Sequence, residues 1–218
     1  MFNKITLREW QQVIKPGSEL FIQTSTDKAD DSWVPFPIGM QFNYMRLNYN
    51  PIQLQLGPHN ELVHCGFTLT TDERRRGCEG INRRSIANTL RTIGIVNISM
   101  SADQYFNSLP NYKFVISPEG NGIDCHRHYE ALLAGCIPII EDNQLIREKY
   151  AGCPILYTQD YSEITPEYLE TKYLEMLDRE YDFSRLFLDF YDADTQAWAK
   201  RCGNYWCGRL NCRLPYSI

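Results

Sequence analysis

The residues with the clearest chemical potential lie between two apolar runs in the middle of the chain. Arg127 and Glu130 stand one helical turn apart, after the turn-forming sequence Pro118-Glu-Gly-Asn-Gly122. Glycines let a backbone approach a phosphate closely, and a planar guanidinium matches phosphate oxygens. Glu130, on the same helical face, is placed to accept hydrogen bonds from ribose hydroxyls. The pattern therefore favours a site for an anionic ligand.

The same residues also have a plainer interpretation. The glycines could form an ordinary turn, and Arg127 with Glu130 could form a surface ion pair worth a few tenths of a kcal/mol. Their position between a Gly-rich turn and a buried strand favours the ligand site. The segment matches neither the G-x-G-x-x-G dinucleotide fingerprint nor the phosphate-loop motif G-x-x-x-x-G-K-[ST].

The elements around these residues predict an α/β domain. From about residue 61, apolar runs alternate with helical patterns, which is typical of a mainly parallel sheet covered by helices. Strands are predicted over 61–69, 96–100, 113–117, 137–140 and 154–157, with another over 19–24. Helices are predicted over 3–14, 71–76, 82–93, 101–109, 124–134, 165–179 and 184–199, with Ser101, Asp124 and Thr165 as N-caps. Because open α/β sheets bind ligands beyond the carboxyl ends of their strands, the glycine turn is expected at that edge.

The composition narrows the function classes. A net charge of −5 over 218 residues argues against a general nucleic-acid binder, although it leaves room for a local basic pocket. We expect no membrane span, since no apolar run is long enough, and no signal peptide, since the N-terminus lacks an apolar core. The eight cysteines are then interpreted as free thiols in a reducing compartment, which predicts a cytoplasmic protein.

Two patterns that resemble metal sites have weaker support. Cys202, Cys207 and Cys212 recur at intervals of five residues, whereas zinc ligands usually come as C-x₂₋₄-C pairs. Asp192 and Asp194 have the D-x-D form used by metal-dependent transferases, but they fall in a predicted helix. We expect buried thiols and a solvated helix face, and no metal.

Four stretches resemble exostosin-like glycosyltransferases. The main match runs from Lys113 through the Gly-rich turn and Cys125-His-Arg to Gly135-Cys-Ile-Pro-Ile139, and it resembles their nucleotide-sugar-binding motif. Phe67 to Arg75, Tyr161 to Leu169, and Pro37-Ile-Gly39 resemble flanking segments of the same proteins. Related patterns occur in fucosyltransferases and in small transferases of large DNA viruses and microbes. The resemblance covers roughly residues 35–190.

The resemblance implies a GT-B-type fold whose C-terminal Rossmann-like domain, residues 41–218 here, holds a nucleotide diphosphate sugar. It implies transfer of the sugar to a hydroxyl of a glycan or glycoprotein acceptor, without metal or other cofactor and with inversion. Arg127 would hold the diphosphate and Glu130 the ribose. The remaining substrate-binding candidates line the turn or approach from upstream, and they are Thr70, Arg75, Asn121, Gly122, Asp124 and His126.

One departure from the family pattern concerns the acceptor. Residues 1–40 are short for a complete acceptor-binding half, so that half is expected to be shrunken, missing or supplied by a partner chain or another copy. The catalytic base is therefore open, with Glu119 and Asp124 as the nearby carboxylates. Two alternatives remain: a donor-binding subunit that needs a partner chain, and a non-catalytic interaction domain.

Overall fold

The computed structural model describes residues 4–12, 36–41 and 57–209, apart from the side chain of Trp206. The strand predicted over 19–24 and Cys212 lie outside these residues. The helix predicted over 3–14 is present as a shorter helix, α1, at Leu7–Trp10.

The described residues contain a four-stranded parallel sheet in which neighbours in space are also neighbours along the chain. Its strands are β2 (Glu61–His64), β3 (Tyr112–Ile116), β4 (Ile137–Glu141) and β5 (Leu156–Thr158). The register pairs Phe114 with both Val63 and Ile137, and it pairs Ile140 with Tyr157. This arrangement confirms the predicted Rossmann-like α/β fold. Because the strands are parallel, all their carboxyl ends meet at one edge.

Helices surround this sheet. They are α2 (Glu73–Arg76), α3 (Arg83–Thr92), α4 (Ala102–Ser108), α5 (His126–Leu133), α6 (Gln144–Lys149), α7 (Pro166–Leu177) and α8 (Ala193–Arg209), with 3₁₀ turns at Leu109–Asn111, Tyr161–Glu163, Ser184–Leu186 and Leu188–Phe190. None of the helices in the described residues is both long enough and apolar enough to cross a membrane.

Several helix ends follow directly from the sequence. Ser101 and Gln104 form the predicted capping box at the start of α4, each side chain accepting from the other's backbone N–H. Thr165 caps α7, where Pro166 occupies the first helical position. Gly135 takes a left-handed φ of 79° directly after α5, which turns the chain into β4.

Alternating side chains on β3 divide the core into two parts. Phe114 and Ile116 belong to the larger hydrophobic cluster, while Val115 belongs to a smaller cluster with residues of α4 and α5. Successive side chains of a strand point to opposite faces, so the two clusters cover the two faces of the sheet. The helix α5 contributes to both, which fixes its position against β3 and β4.

The N-terminal residues pack onto this domain. Strand β1 (Ile5–Thr6) pairs antiparallel with β6 (Glu180–Tyr181). Trp10 is fully buried, stacks on Phe183 with a centroid distance of 3.9 Å, and donates its indole N–H to the Leu132 carbonyl at 2.8 Å. The assignment of residues 1–40 to an acceptor region stays a prediction.

Two predicted elements differ from the structure. Residues 96–100 form no strand. The Ile98 N–H donates to the Cys65 carbonyl at 2.9 Å, but the neighbouring contacts, with the N–H and carbonyl of Phe67, are made by the Asn97 side-chain amide, so no backbone ladder forms. The helix predicted over 184–199 is broken into two 3₁₀ turns before α8 begins.

Candidate functional site

A cleft of about 1110 Å³ opens at the carboxyl edge of the sheet. Ordinary small-molecule pockets span about 300–1,000 Å³, so this cleft has room for a large ligand. Its walls come from the loops after β2 and β3, the chain before α4, and the start of α5. The lining residues that bear polar side chains are Gln41, Thr68, Thr71, Arg74, Arg75, Arg83, Ser99, Ser101, Tyr105, Asn121, Asp124, Cys125, His126, Arg127 and Glu130.

The cleft is basic although the chain is acidic. Four arginines line it, against two carboxylates, Asp124 and Glu130. One of these carboxylates is neutralised by a lysine behind the wall, as described below. A concave wall with this excess of guanidinium groups concentrates positive potential and favours an anionic ligand.

Arg127 is a cleft arginine with two guanidinium nitrogens that have no acceptor among the described residues. Its guanidinium stacks over the Tyr105 ring, 4.6 Å from the ring centroid. Its Nε and Nη1 atoms are buried, and no described residue accepts a hydrogen bond from them. A buried donor without an acceptor is costly, so these atoms are suited to an anion that enters the cleft.

Glu130 contradicts the interpretation as a surface ion pair. The residue is only 6 % exposed, and its Oε1 accepts a hydrogen bond from the backbone N–H of Gln41 at 3.1 Å. Burial raises the pKa of the Glu130 carboxyl to about 7, against the opposing effects of the Gln41 N–H, the Arg127 charge and the nearby Tyr105 hydroxyl. The Glu130 carboxyl can therefore gain or lose a proton near neutral pH.

Residues 36–41, which we call the strap, run across the start of α5. The strap contacts successive positions of that region: the Ile38 N–H donates to Asp124 Oδ2, the Gly39 carbonyl lies 2.8 Å from His126 Nδ1, and the Gln41 N–H reaches Glu130. These contacts place the resemblance-bearing Pro37-Ile-Gly39 sequence beside the candidate ligand residues.

Asp124 is not the N-cap of α5 that the sequence predicts. Cys125 stands at the N-cap position of α5, without a side-chain cap. The Asp124 carboxylate instead accepts from Lys149 Nζ at 2.9 Å and from the Tyr150 hydroxyl at 2.8 Å, and both charged side chains are buried. Burial would raise the pKa of Asp124, but the ion pair outweighs it and the pKa is lowered. As a catalytic base, Asp124 stays a prediction that these contacts disfavour.

Glu119 is similarly engaged and does not line the cleft. Its carboxylate accepts hydrogen bonds from both Arg75 and Arg76. Arg75 also donates to the Gly120 carbonyl at 3.1 Å, so it holds the glycine turn while lining the cleft. Thr70 is exposed and lies outside the cleft wall, where Thr68 and Thr71 stand instead.

Arg83 is a supporting residue that the sequence reasoning missed. It is buried and donates to three backbone carbonyls, those of Thr68, Pro118 and Glu119. It thereby ties the loop after β2 to the loop after β3. Helical spacing with the buried Ile86 and Leu90 is the signal that places Arg83 on the inner face of α3.

The Asp192 and Asp194 pattern, which resembled a metal site, has a structural explanation. Asp192 accepts hydrogen bonds from the Thr195 N–H and hydroxyl at the start of α8. Within the part of the chain that the structure describes, no group of three or more His, Cys, Asp or Glu side chains could hold a metal ion.

The fold and the cleft define a class: a Rossmann-like α/β domain with a basic ligand cleft at the carboxyl edge of its sheet. A family model described as the RXYLT1 C-terminal domain matches residues 80–193, just over half of the chain, and the chain belongs to this family. It is a xylosyltransferase family related to exostosin-like glycosyltransferases. Among curated proteins no match to the chain is found.

The matched range contains part of the candidate site. It includes the glycine turn and all of α5, with His126, Arg127 and Glu130. Arg75, Thr70 and the strap lie before it. The family assignment therefore supports a functional role for the α5 side of the cleft. For the residues before position 80, the geometry of the cleft is the evidence.

Proposed function

We propose that this chain is a glycosyltransferase domain that binds a nucleoside diphosphate sugar in the cleft and transfers the sugar to a hydroxyl acceptor. The family supplies the reaction class and makes a xylosyl donor the first choice. A hydroxyl of a glycan or glycoprotein is the acceptor class that fits this chemistry. The acceptor oxygen would form a bond to the anomeric carbon as the bond from that carbon to the diphosphate breaks.

The observation that carries the proposal is the guanidinium of Arg127. Arg127 lines a ligand-sized cleft at the edge of a parallel sheet where nucleotides commonly bind, and its Nε and Nη1 atoms have no acceptor among the described residues. A diphosphate would accept from these donors and would gain charge-assisted hydrogen bonds. In this proposal Arg127 binds the diphosphate both in the intact donor and while it leaves as the nucleoside diphosphate.

Glu130 supports the nucleoside end of the same ligand. It lies one turn after Arg127 on α5, with Oε1 committed to the Gln41 N–H. Its second oxygen is the one proposed to accept from a ribose hydroxyl. Asn121 and Gly122, both in the cleft wall, are proposed to approach the phosphates or the sugar from the glycine turn.

Cationic side chains can stabilise a departing diphosphate in place of a metal ion. Arg127 and the exposed Arg74 both line the cleft, and neither forms an ion pair with any described residue. Arg75 adds a third guanidinium, already oriented by Glu119. On this basis we propose metal-independent transfer. Single displacement, with inversion at the anomeric carbon, is proposed from the resemblance to exostosin-like glycosyltransferases.

The experiment is a binding panel on the purified chain. UDP, GDP, CDP and ADP are compared by thermal unfolding and by calorimetry, with and without EDTA. A ligand that binds only the native state raises the melting temperature by mass action, so one nucleotide should stand out and should bind equally with EDTA. The corresponding nucleotide xylose and other nucleotide sugars then identify the donor. Failure of all four diphosphates to bind at millimolar concentration would contradict the proposal.

A further inference from the structure

His126 is a cleft residue with one ring nitrogen committed and the other available. Its Nδ1 lies 2.8 Å from the Gly39 carbonyl of the strap, which can only accept a hydrogen bond. Nδ1 therefore carries the proton in the neutral ring, and Nε2 carries the lone pair. No described residue hydrogen-bonds to Nε2, and the side chain lines the cleft.

Such an imidazole has the form of a general base. The backbone carbonyl fixes the tautomer and the ring orientation, while the opposite nitrogen remains free to take a proton. His126 is also the first residue of α5 and adjoins Arg127. A donor whose diphosphate is held by Arg127 would bring its anomeric carbon near the start of this helix.

The other titratable groups of the cleft wall are less suited to this role. The Asp124 carboxylate is committed to Lys149 and Tyr150. Burial raises the pKa of the Cys125 thiol to about 11 and the pKa of the Tyr105 hydroxyl well above its usual value. Glu130 lies about one helical turn further along α5 than His126, and it is already assigned to the ribose.

The charges around His126 keep the ring neutral. Burial lowers the pKa of His126, and this effect outweighs the Gly39 carbonyl and the negative charge of Asp124, which both act to raise it. Asp124 is itself paired with Lys149 of α6, which limits its effect. The strap contributes no ionisable group at this contact, only the Gly39 carbonyl. A depressed pKa suits a base and disfavours an acid that must protonate the leaving diphosphate.

We propose that His126 is the general base of the transfer, an inference that rests on the proposed function. Its Nε2 takes the proton from the acceptor hydroxyl as that oxygen bonds to the anomeric carbon. The electron pair of the broken carbon–oxygen bond leaves with the nucleoside diphosphate. The imidazolium then returns its proton to solvent.

The test uses His126→Asn, whose side-chain amide can still donate to the Gly39 carbonyl while it offers no basic nitrogen to the cleft. Binding of the nucleoside diphosphate selected by the panel should stay within about twofold of wild type. Transfer of the sugar to water, measured as donor hydrolysis, should fall about 100-fold or more, the usual contribution of a general base. His126→Gln, which cannot act as a base either, should be equally slow.

The pH profile separates His126 from its neighbour Glu130. The wild-type rate should fall on the acid side with an apparent pKa below the ordinary value of 6.5, since protonation removes the base. That limb should be missing in His126→Asn. A limb near pH 7 that is present in both proteins would belong to Glu130, whereas persistence of the lower limb in His126→Asn would overturn the assignment.

Independent ¹⁵N NMR of the histidine rings checks the resting state, with the His126 signal assigned by its absence in His126→Asn. At pH 7 we expect a neutral ring with the proton on Nδ1. An imidazolium or an Nε2–H tautomer would overturn the inference even if turnover is too slow to measure. Normal hydrolysis by His126→Asn would also overturn it while leaving the proposed function intact, whereas absent nucleotide binding in wild type would remove both.

Discussion

At the scale of single residues, the candidate site depends on polar groups that the fold buries at a cost. Glu130 is the clearest case, because its carboxyl is surrounded by protein and its pKa is raised to about 7. In the unfolded chain the same group titrates near 4.5. Between these values the folded state holds a proton that the unfolded state has lost, so the free energy of unfolding decreases as the pH rises through this window.

Glu130→Gln should therefore stabilise the protein at pH 8 and leave its stability nearly unchanged at pH 4.5. The full shift corresponds to about 3 kcal/mol, an upper limit for the gain at pH 8. Gln can still accept the Gln41 N–H, so packing is kept. Urea unfolding at the two pH values measures the difference, with the exposed Glu170→Gln as the matched control. A gain that is the same at both pH values would contradict the raised pKa.

Residue types and spacing predict that some of the cleft residues lie close together. Arg127 and Glu130 were selected because they follow a glycine turn on one helical face, and the structure places both in the cleft. The interactions of Asp124 were not predictable, since its partners are a backbone N–H of the strap and two residues of the α6 region. Contacts between residues so distant in sequence leave no local pattern.

At the scale of elements, the start of α5 is held between the strap and the end of α6. Asp124 joins them, because one buried carboxylate accepts from the Ile38 N–H, from Lys149 and from Tyr150. Removing one member of a buried ion pair leaves the other charge uncompensated. The position of the candidate ligand residues therefore depends on this carboxylate.

Asp124→Asn should lower the free energy of unfolding by about 3–5 kcal/mol, because it removes the charge of one member of a buried ion pair. The exposed pair of Asp142 with Arg147 offers a matched control, and Asp142→Asn should cost at most about 1 kcal/mol. Denaturant unfolding compares the two variants. Equal stability of both variants would contradict the role of Asp124 as the link between the strap, α5 and α6.

The elements themselves were predictable where local rules decide them. The caps at Ser101 and Thr165 and the left-handed Gly135 follow from the chemistry of single turns. The extended segment at 96–100 was misjudged because the Asn97 side chain takes the place of a neighbouring strand's backbone. That pairing depends on the loop after β2 lying alongside, which only the tertiary fold provides.

At the scale of the whole molecule, an acidic chain encloses a basic cleft. The net charge of −5 repels anions at long range, so binding of an anionic ligand must come from the arginines inside the cleft. The helix α5 lies within the matched family region and carries Arg127, whose Nε and Nη1 atoms have no acceptor among the described residues. The central claim is that this helix holds the diphosphate of a sugar donor.

Calorimetric titration of wild type and Arg127→Ala with the best nucleoside diphosphate tests this claim most directly, with Arg91→Ala on the exposed surface of α3 as the control. Loss of charge-assisted hydrogen bonds should weaken binding by about 10- to 100-fold. Thermal stability without ligand should change little, since the lost stacking on Tyr105 is offset by the removal of two buried donors that have no acceptor among the described residues. Arg91→Ala should bind like wild type. Unchanged affinity in Arg127→Ala, or equal weakening in both variants, would contradict the account.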